Sequence, residues 1–491
     1  MNTFKNYIGG EWVSARNGET FNSVNPADTT DIVGAFPRSG AEDVDAAVKA
    51  AREAFATWRL VPAPRRAEIL FRVGEMMVQR KEELAREMTR EMGKVLKESR
   101  GDVQEAIDMV YFIAGEGRRQ HGYTAPSELP NKHGSCERMP IGVVAAITPW
   151  NFPSAIPIWK LAPALVLGNT VVFKPAEDTP LMAHRLVEMF IEAGVPKGAL
   201  NLVQGLGEDA GAALVDHDGV DLVSFTGSSE TGRLIAQQCA GSFKRVSLEM
   251  GGKNAVVVLE DADIDLAVDA SIWGAFGTTG QRCTASSRLI VHRAVLGQFT
   301  ERLLERTKAL RLGAGDSAST DVGPLISADA LKKVEYYVNV GKEEGAKVLC
   351  GGAVAPDAGT GHFYQPTIFA DVKPTMRVAQ EEIFGPVTAI IPVDSVDEAI
   401  AVCNDVKFGL SASVFTRNVN EAYRAMRDVY TGILYINAAT IGAEIQFPFG
   451  GTRNTGNGHR EGGAQVLDIF SEWKTIYVDY SGAVQKAQMD E

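Results

Sequence analysis

The stretch IGVVAAITPWNFPSAIPIWKLAPALVLGNTVVF, residues 141–173, decides the fold. It contains two short apolar runs, 142–147 and 170–173, with a helical pattern between them. Such runs predict parallel strands of one sheet, because a parallel crossover needs about a dozen or more residues, enough for a helix. A membrane span, which needs about 20 apolar residues, is not expected, since Asn151, Lys160 and several prolines interrupt the stretch.

Runs of the same kind recur downstream in two series. The first series continues at 200–203, 222–225 and 245–248, with helical patterns between the runs. Strands that are apolar throughout are typical of a parallel sheet covered on both faces, so we predict a doubly wound nucleotide-binding domain. A second series predicts another α/β domain. Its runs lie at 255–259, 288–292, 387–393, 412–415 and 433–436.

The remaining segments complete an α/β chain. Residues 41–58 and 64–114 carry apolar positions three and four apart, as amphipathic helices do. The polar stretch 119–140 and the alternating tail 473–480 are expected to pair in a small separate ribbon. Because an isolated two-stranded ribbon is marginal in water, we predict that it extends across a subunit boundary in a homodimer or homotetramer.

Composition excludes several function classes. The 491 residues include 49 Lys and Arg against 62 Asp and Glu, and this net charge of −13 without a basic block disfavours nucleic-acid binding. The five cysteines form no CxxC pair and no cluster with histidine, which argues against disulfides and a metal site. Unpaired cysteines and an N-terminus without a secretory signal pattern predict a cytoplasmic protein that does not bind membranes.

Three polar residues follow elements where chemistry is commonly found. Cys283 lies after a predicted helix and a glycine-containing break, and it is either a nucleophile or an inert small apolar residue. Glu249 ends a strand before two glycines and is either a general base or a solvated strand cap. Asn151 lies between Pro149 and Pro153, which fix its backbone, and is either an oxyanion donor or a turn asparagine.

Two segments at strand ends predict a nucleotide site, because open α/β sheets bind ligands at the carboxyl edge of their strands. Lys174 and Glu177 place a cation and a carboxylate where a ribose diol could be held. The segment Thr226-Gly227-Ser228 joins a strand to a helix start that suits a pyrophosphate, although its glycine spacing is not the usual dinucleotide fingerprint.

Two further segments carry weaker signals. Gly207 and Gly211 come close to the GxGxxG spacing, and we expect them to pack against an adenine ring or a helix. Glu382 and Phe384 precede a Gly-Pro turn, where the carboxylate could reach a ribose and the ring could pack on a flat group. Taken alone, this last segment could equally be an ordinary loop.

Taken together, these segments resemble the aldehyde dehydrogenase superfamily over nearly the whole chain. The motifs TPWNFP, KPAEDTP, FTGSSETG, LEMGGKN, GQRCT, EEIFGPV and PFGG occur in the family's order. The resemblance implies a subunit in three parts. These are an NAD(P)-binding domain with a modified Rossmann sheet over 1–118 and 141–251, a catalytic domain over 252–451, and an oligomerisation ribbon over 119–140 and 468–491.

The resemblance also implies a role for each motif residue. Cys283 matches the nucleophile that forms a thiohemiacetal and then a thioester, and Asn151 matches the oxyanion donor. Glu249 matches the base that activates the hydrolytic water, and Lys160 matches a lysine of the proton relay. The implied cofactor contacts are Ile147, Trp150, Lys174, Glu177, Gly207, Gly211, Thr226, Gly227, Ser228, Glu382 and Phe384.

The same resemblance also indicates which cofactor and which class of substrate the protein binds. NAD is favoured because Glu177 would repel the 2′-phosphate of NADP, whereas Lys174 has the opposite effect and leaves NADP open. The segment GAEIQFPFGG is similar to that of members acting on semialdehydes of α-aminoadipate and α-ketoglutarate. Arg282 and Arg453 could bind the carboxylate of such a substrate, or form structural ion pairs. The implied substrate-pocket residues are Phe152, Trp159, Arg282, Thr284 and Phe447.

Other functions make different demands on the sequence. A broad-specificity dehydrogenase of aliphatic or aromatic aldehydes would use the same residues and remains open. CoA-acylating relatives generally lack the base at the position of Glu249. A cysteine hydrolase would need a histidine partner, and none of the seven histidines lies in a motif that suggests pairing with Cys283. A catalytically silent relative would not require Cys283, Glu249 and Asn151 together.

Overall fold

The computed structural model of the chain describes residues 2–356 and 359–489. Parts of the predicted domains, namely residues 1, 357, 358, 490 and 491, lie outside the described residues. The helices are α1 (Ala41–Trp58), α2 (Ala63–Met92), α3 (Leu96–Glu116), α4 (Ala155–Leu167), α5 (Pro180–Glu192), α6 (Ala212–Asp216), α7 (Ser229–Ala240), α8 (Ile264–Phe276), α9 (Arg293–Lys308), α10 (Ala328–Glu343), α11 (Arg377–Gln380), α12 (Val396–Asn404) and α13 (Val419–Asp428). None of the helices in these ranges is long and apolar enough to cross a membrane.

The strands carry the labels β1 to β21 in chain order. They are β1 (Asn6–Ile8), β2 (Glu11–Val13), β3 (Thr20–Val24), β4 (Ile32–Pro37), β5 (Tyr123–Pro126), β6 (Lys132–Pro140), β7 (Val143–Ile147), β8 (Thr170–Lys174), β9 (Leu200–Leu202), β10 (Leu222–Gly227), β11 (Arg245–Met250), β12 (Asn254–Val258), β13 (Ser286–His292), β14 (Lys347–Cys350), β15 (Thr367–Ala370), β16 (Val387–Val393), β17 (Phe408–Gly409), β18 (Ser411–Phe415), β19 (Ile433–Ile436), β20 (Thr452–Arg453) and β21 (Ser471–Asp479).

The first sheet has the strand order β11-β10-β7-β8-β9-β1-β2. The first five strands in this order are the first predicted series, and each pairs in parallel with its neighbour, with helices in the connections. The chain runs from β7 through β8 to β9 on one side and then crosses to β10 on the other side. The loops after β7 and β10 therefore diverge at the carboxyl edge and open the crevice in which such sheets bind ligands.

The second sheet has the order β14-β15-β16-β13-β12-β18-β19 and contains the whole second predicted series in parallel. Two strands that were not expected from the sequence, β14 and β15, extend this sheet at one edge. Together the two sheets confirm the predicted α/β fold class. The chain passes directly from the carboxyl end of β11 to the start of β12, so residues 251–253 link the two sheets.

A third sheet contains the predicted ribbon, with the order β21-β6-β5. β21 pairs with β6 in antiparallel register along its full length, from Ser471 opposite Pro140 to Asp479 opposite Lys132. The ribbon has three strands rather than the expected two, because the polar stretch folds back on itself as the β5–β6 hairpin. Large side chains on it, among them Tyr477, are exposed.

The predicted helical stretch 64–114 forms two helices rather than one continuous element. α2 ends at Met92, and the next residue, Gly93, has a φ of +89°, a left-handed conformation that favours glycine. α3 then begins at Leu96 and packs along α2 and α4. This turn brings Lys94 and the first turns of α3 toward the loop that follows β7.

Candidate active site

A cavity of about 320 Å³ lies between the carboxyl edge of the first sheet and the amino edge of the second. Cys283, Glu249 and Asn151 all line it, although they are far apart in sequence. Asn151 comes from the loop after β7, Glu249 from the end of β11, and Cys283 from the loop before β13. The structure therefore brings the three predicted catalytic groups around one space.

The backbone around Cys283 is fixed by close contacts. Gly280 has a φ of +67°, and a Cβ there would lie 2.1 Å from the Gly385 carbonyl oxygen, so only glycine fits. The Asn254 side-chain amide donates to the carbonyl oxygens of Cys283 at 2.8 Å and Ala285 at 3.0 Å. These contacts hold the thiol at the cavity wall.

The environment of Cys283 favours the neutral thiol. Burial raises the pKa of this thiol to about 12, and the carboxylates of Glu382 and Glu249 add to the effect. The thiolate is the nucleophilic form of cysteine. In these surroundings, ionisation of Cys283 needs an additional positive charge near the sulfur.

The Asn151 side chain is 2% exposed and reaches the loop that carries the thiol. Its amide nitrogen donates to the Gln281 carbonyl oxygen at 3.1 Å, and Gln281 precedes Cys283 by two residues. A primary amide has two N–H groups, so one remains for a group bound in the cavity. The backbone carbonyl oxygen of Asn151 accepts a hydrogen bond from Lys94 at 2.7 Å.

Glu249 has a buried carboxyl group in an acidic setting. Neither of its carboxylate oxygens has a hydrogen-bond partner among the described residues. Burial raises the pKa of Glu249 well above its usual range, and the charge of Glu461 raises it further. A carboxyl group with a raised pKa is suited to accept a proton near neutral pH.

Lys160 does not line the cavity but lies behind Glu249 in the protein interior. Its side chain is fully buried, forms an ion pair with Glu461 and donates to the Ser224 hydroxyl at 3.2 Å. Glu461 itself lines the cavity. The predicted relay lysine is therefore connected to the cavity through Glu461, and its charge lowers the pKa of Glu249.

Part of the predicted cofactor set lines the same cavity. These residues are Trp150, Thr226, Gly227, Ser228, Glu382 and Phe384. Ser228 caps α7, its hydroxyl oxygen accepting from the Thr231 amide at 3.1 Å. The Trp150 and Phe384 rings meet edge to face with centroids 5.5 Å apart, and the Glu382 carboxylate accepts from the Gly252 amide at 3.0 Å.

The other predicted cofactor residues lie outside the lining of this cavity. Lys174 and Glu177 form an ion pair of 2.9 Å after β8. Burial alone would raise the pKa of Glu177, but the Lys174 ammonium and the Gly207 amide lower it, so the carboxylate is charged. A Cβ added at Gly211 would lie 4.0 Å from the Lys174 side chain, which is an ordinary van der Waals distance. Ile147 is buried in the core of the first sheet.

Four of the five predicted substrate-pocket residues line the cavity, namely Phe152, Trp159, Arg282 and Thr284. The fifth, Phe447, lies outside the lining of the cavity and is 61% exposed, and its backbone amide donates to the Glu444 carbonyl oxygen. Phe449, two residues later, lines the cavity instead and packs edge to face on Trp159 at 5.2 Å. Arg453 is not a pocket residue either, since its guanidinium donates to backbone carbonyls, including that of Tyr430.

Arg282 combines the two roles considered for it. It forms an ion pair with Glu98 at 3.1 Å and donates to the Thr278 hydroxyl at 2.9 Å, as a structural arginine does. It also lines the cavity, with its guanidinium carbon 5.1 Å from the centroid of the Phe152 ring. A guanidinium has five N–H donors, so these two contacts leave donors for a ligand.

Sequence reasoning missed two acidic residues that line the cavity, Glu105 and Glu461. Glu105 follows Glu98 and Asp102 at helical spacing on α3, and this pattern of carboxylates could have identified it. Glu461 had no local signal, because its partner Lys160 is 301 residues away in sequence.

Comparison with known proteins places this site in a family. The sequence model of the aldehyde dehydrogenase family matches residues 12–476. The chain is 46% identical to α-ketoglutaric semialdehyde dehydrogenase of Bacillus subtilis over 97% of this chain and 98% of the relative. It is 41% identical to 2,5-dioxopentanoate dehydrogenase of Saccharolobus solfataricus, over 96% of this chain and 99% of the relative.

Solved structures agree with the sequence relatives. Betaine aldehyde dehydrogenase of Staphylococcus aureus, crystallised with NAD+, matches with a TM-score of 0.95 at 35% identity, covering 99% of this chain and 97% of that one. A fold of two doubly wound sheets around a cavity with a cysteine, a glutamate and an asparagine is that of an aldehyde-oxidising enzyme. The chain belongs to the aldehyde dehydrogenase family. The family, the fold class and the enzyme class predicted from the sequence are thereby confirmed.

Proposed function

We propose that the protein oxidises 2,5-dioxopentanoate, the semialdehyde of α-ketoglutarate, to the dicarboxylic acid, with NAD(P)+ as the hydride acceptor. The convergence of Cys283, Asn151 and Glu249 on one cavity carries the proposed oxidation of an aldehyde. The relatives named for this semialdehyde support the choice of substrate. Arg282 on the cavity wall supplies a partner for the carboxylate that this substrate carries.

The residues at the carboxyl edge of the first sheet fit a dinucleotide. The switch point between β7 and β10, the start of α7 and the charged Glu177 carboxylate suit a nicotinamide end, a pyrophosphate and a ribose, respectively. When bound, NAD(P)+ supplies the hydride acceptor and a positively charged ring. Glu177 and Trp150 would hold the two ends of this cofactor.

The side chains of the cavity then act in sequence. The Cys283 thiolate attacks the aldehyde carbon, and the Asn151 amide and the Cys283 backbone N–H donate to the new oxyanion. Loss of the hydride from that carbon leaves a thioester on Cys283. Glu249 takes a proton from a water molecule, the water oxygen attacks the thioester, and breakage of the C–S bond releases the acid.

The ion pair behind Glu249 provides a route for the proton. After the water attacks, Glu249 must release the proton that it has taken. Lys160 and Glu461 form a buried pair close enough to influence the pKa of Glu249. We assign these two residues to the transfer of that proton toward solvent.

The geometry at Glu177 supports NAD over NADP. The Glu177 side chain is 39% exposed at the surface of the site, whereas its partner Lys174 is 3% exposed and lies beneath it. A ligand therefore meets the carboxylate first. The 2′-phosphate of NADP would be repelled there, whereas a ribose hydroxyl could donate to the carboxylate oxygens.

A second candidate substrate is an aldehyde with a quaternary ammonium group, as in the named substrate of the Staphylococcus aureus relative. The rings of Trp150, Phe152, Trp159 and Phe449 line the cavity, and the faces of aromatic rings attract such cations. The Arg282 guanidinium next to the Phe152 ring opposes a second cation, which favours the carboxylated aldehyde.

A comparison of three aldehydes tests the proposed function. The purified protein is assayed for NAD(P)H formation with 2,5-dioxopentanoate, with pentanal as the neutral aldehyde of equal chain length, and with betaine aldehyde. The kcat/KM is expected to be highest for 2,5-dioxopentanoate and higher with NAD+ than with NADP+. A higher kcat/KM for pentanal or betaine aldehyde would refute the substrate assignment.

The proposal includes the domain boundaries predicted from the sequence, a dimer or tetramer, and a cytoplasmic location. The division of the strands into two main sheets and a ribbon supports the boundaries. The exposed Tyr123, Trp473 and Tyr477 on the ribbon support its role in assembly. Replacing Trp473 and Tyr477 with Glu should yield monomers in light-scattering measurements, and an unchanged mass would refute this role.

A further inference from the structure

A buried ion pair lies at the start of α3. Neither of its two residues has a catalytic or cofactor role in the mechanism above. Lys94 Nζ donates to Asp102 Oδ2 at 2.9 Å, and neither side chain is exposed. The Leu96 amide donates to the Gly315 carbonyl oxygen at 2.8 Å, which fixes the backbone beside Lys94. Burying two charges costs solvation that their attraction only partly offsets, so stability alone is a weak reason for this pair.

Both partners of the pair bind the loop that carries Asn151. Lys94 Nζ donates to the Asn151 carbonyl oxygen at 2.7 Å and lies 4.1 Å from the centroid of the Phe152 ring. Asp102 Oδ1 accepts from the Ala155 amide at 2.8 Å, at the first residue of α4. The pair therefore holds this loop at both ends.

The same face of α3 also binds the loop of the thiol. Glu98, one helical turn before Asp102, accepts from the Thr278 amide at 2.9 and 2.8 Å through its two oxygens. It also pairs with Arg282, the residue before the thiol. One rigid helix thus contacts the loops of both Asn151 and Cys283.

We propose that Lys94 and Asp102 are positioning residues that aim the Asn151 amide at the oxyanion formed on Cys283. They act through the backbone of residues 151–155 and do not line the cavity themselves. The inference rests on the proposed role of Asn151 in aldehyde oxidation. An amide that is misplaced by about 1 Å donates poorly to the oxyanion, and such errors cost about 10²-fold in rate.

A double-mutant cycle on the first turnover tests this inference. The rate of the NADH burst is measured by stopped flow with 2,5-dioxopentanoate and NAD+. Asn151→Ala should slow the burst by about 10²–10³-fold, as loss of an oxyanion donor does. Lys94→Met should slow it by about 10–100-fold, as a misplacement of this size does. The double variant should be no slower than Asn151→Ala, because Lys94 acts through that amide.

The outcomes separate the two proposals. If Asn151→Ala and Lys94→Met each slow the burst and their effects multiply in the double variant, Lys94 does not act through Asn151 and the inference is overturned. If Asn151→Ala leaves the burst unchanged, the proposed role of Asn151 is wrong and the positioning inference falls with it.

Two further variants exclude a general effect on folding. Removing Lys94 alone leaves Asp102 as a buried unpaired charge, whereas Lys94→Met with Asp102→Leu replaces the pair by apolar side chains and can preserve stability. This variant should have the same slow burst, and a wild-type burst would overturn the inference. The control variant is Arg100→Met, which breaks an exposed 2.7 Å ion pair between Arg100 on α3 and Glu82 on α2. The burst of this variant should be as fast as that of wild type. An equally slow burst would show that the packing of α2 against α3, and not the position of the Asn151 side chain, controls the burst rate.

Discussion

Replacement of Arg282 by Met tests the proposed substrate most directly. Its guanidinium already contacts Glu98 and Thr278, and its side chain is only 13% exposed, so a bound carboxylate would be largely desolvated. A hydrogen bond to a charged group contributes about 1.5–3 kcal/mol, which corresponds to about 10–150-fold in kcat/KM. Because Glu98 shares the guanidinium, we expect the lower part of that range.

The assay compares 2,5-dioxopentanoate with pentanal in both proteins. Loss of Arg282 also disturbs its bond to Glu98, but that effect acts on both aldehydes and cancels in the ratio of their kcat/KM values. The ratio should fall by about 10–50-fold in Arg282→Met, within the contribution of a charged hydrogen bond. Arg282→Lys keeps the charge but loses the planar fork, so its ratio should be intermediate. A ratio within twofold of wild type would refute Arg282 as the carboxylate anchor.

Three other replacements probe the remaining groups of the cavity. Cys283→Ala should abolish NADH formation while leaving NAD+ binding intact in fluorescence titration, and residual turnover would point to another nucleophile. Glu249→Gln should retain the first NADH burst and slow steady turnover by about 10²–10⁴-fold; loss of the burst would contradict its role in hydrolysis. Burial, with help from Asp102, raises the pKa of Glu105 to about 8, so this group is neutral below that pH and anionic above it. Since an anionic Glu105 repels the carboxylate of the substrate, the KM for 2,5-dioxopentanoate should rise between pH 7 and 9 in wild type but not in Glu105→Gln. Identical pH profiles of the KM in the two proteins would exclude this effect.

The strands of both sheets were predictable because they are buried on both faces. β7 and β16 consist almost entirely of apolar residues, and such runs are visible in the sequence without knowledge of their neighbours. β14 was missed because it lies at an edge, pairs with only one strand and has a partly exposed pattern. Its identity as a strand depends on its pairing with β15 rather than on its own residues.

The site was predictable to the extent that its residues lie in local motifs. Cys283 and Asn151 are flanked by glycine or proline residues that fix the backbone, and these neighbours are visible in sequence. The pairs that support them are not local. Lys160 and Glu461 are 301 residues apart, and Lys94 reaches Asn151 over 57 residues, so only the folded chain shows either contact. Phe449 rather than Phe447 lines the cavity, and only the folded chain shows which of these two rings faces it.

The charges of the cavity link the ionisation of Cys283 to that of Glu249. The Glu249 carboxylate raises the pKa of the Cys283 thiol, and by reciprocity a Cys283 thiolate raises the pKa of Glu249. Burial disfavours either charge alone and the two together most of all. Once the sulfur is acylated, it carries no charge, and the cavity then tolerates the Glu249 carboxylate more readily. Formation of the thioester thus removes the thiolate charge that opposes ionisation of Glu249, and the ionised carboxylate is the form that accepts the proton of water.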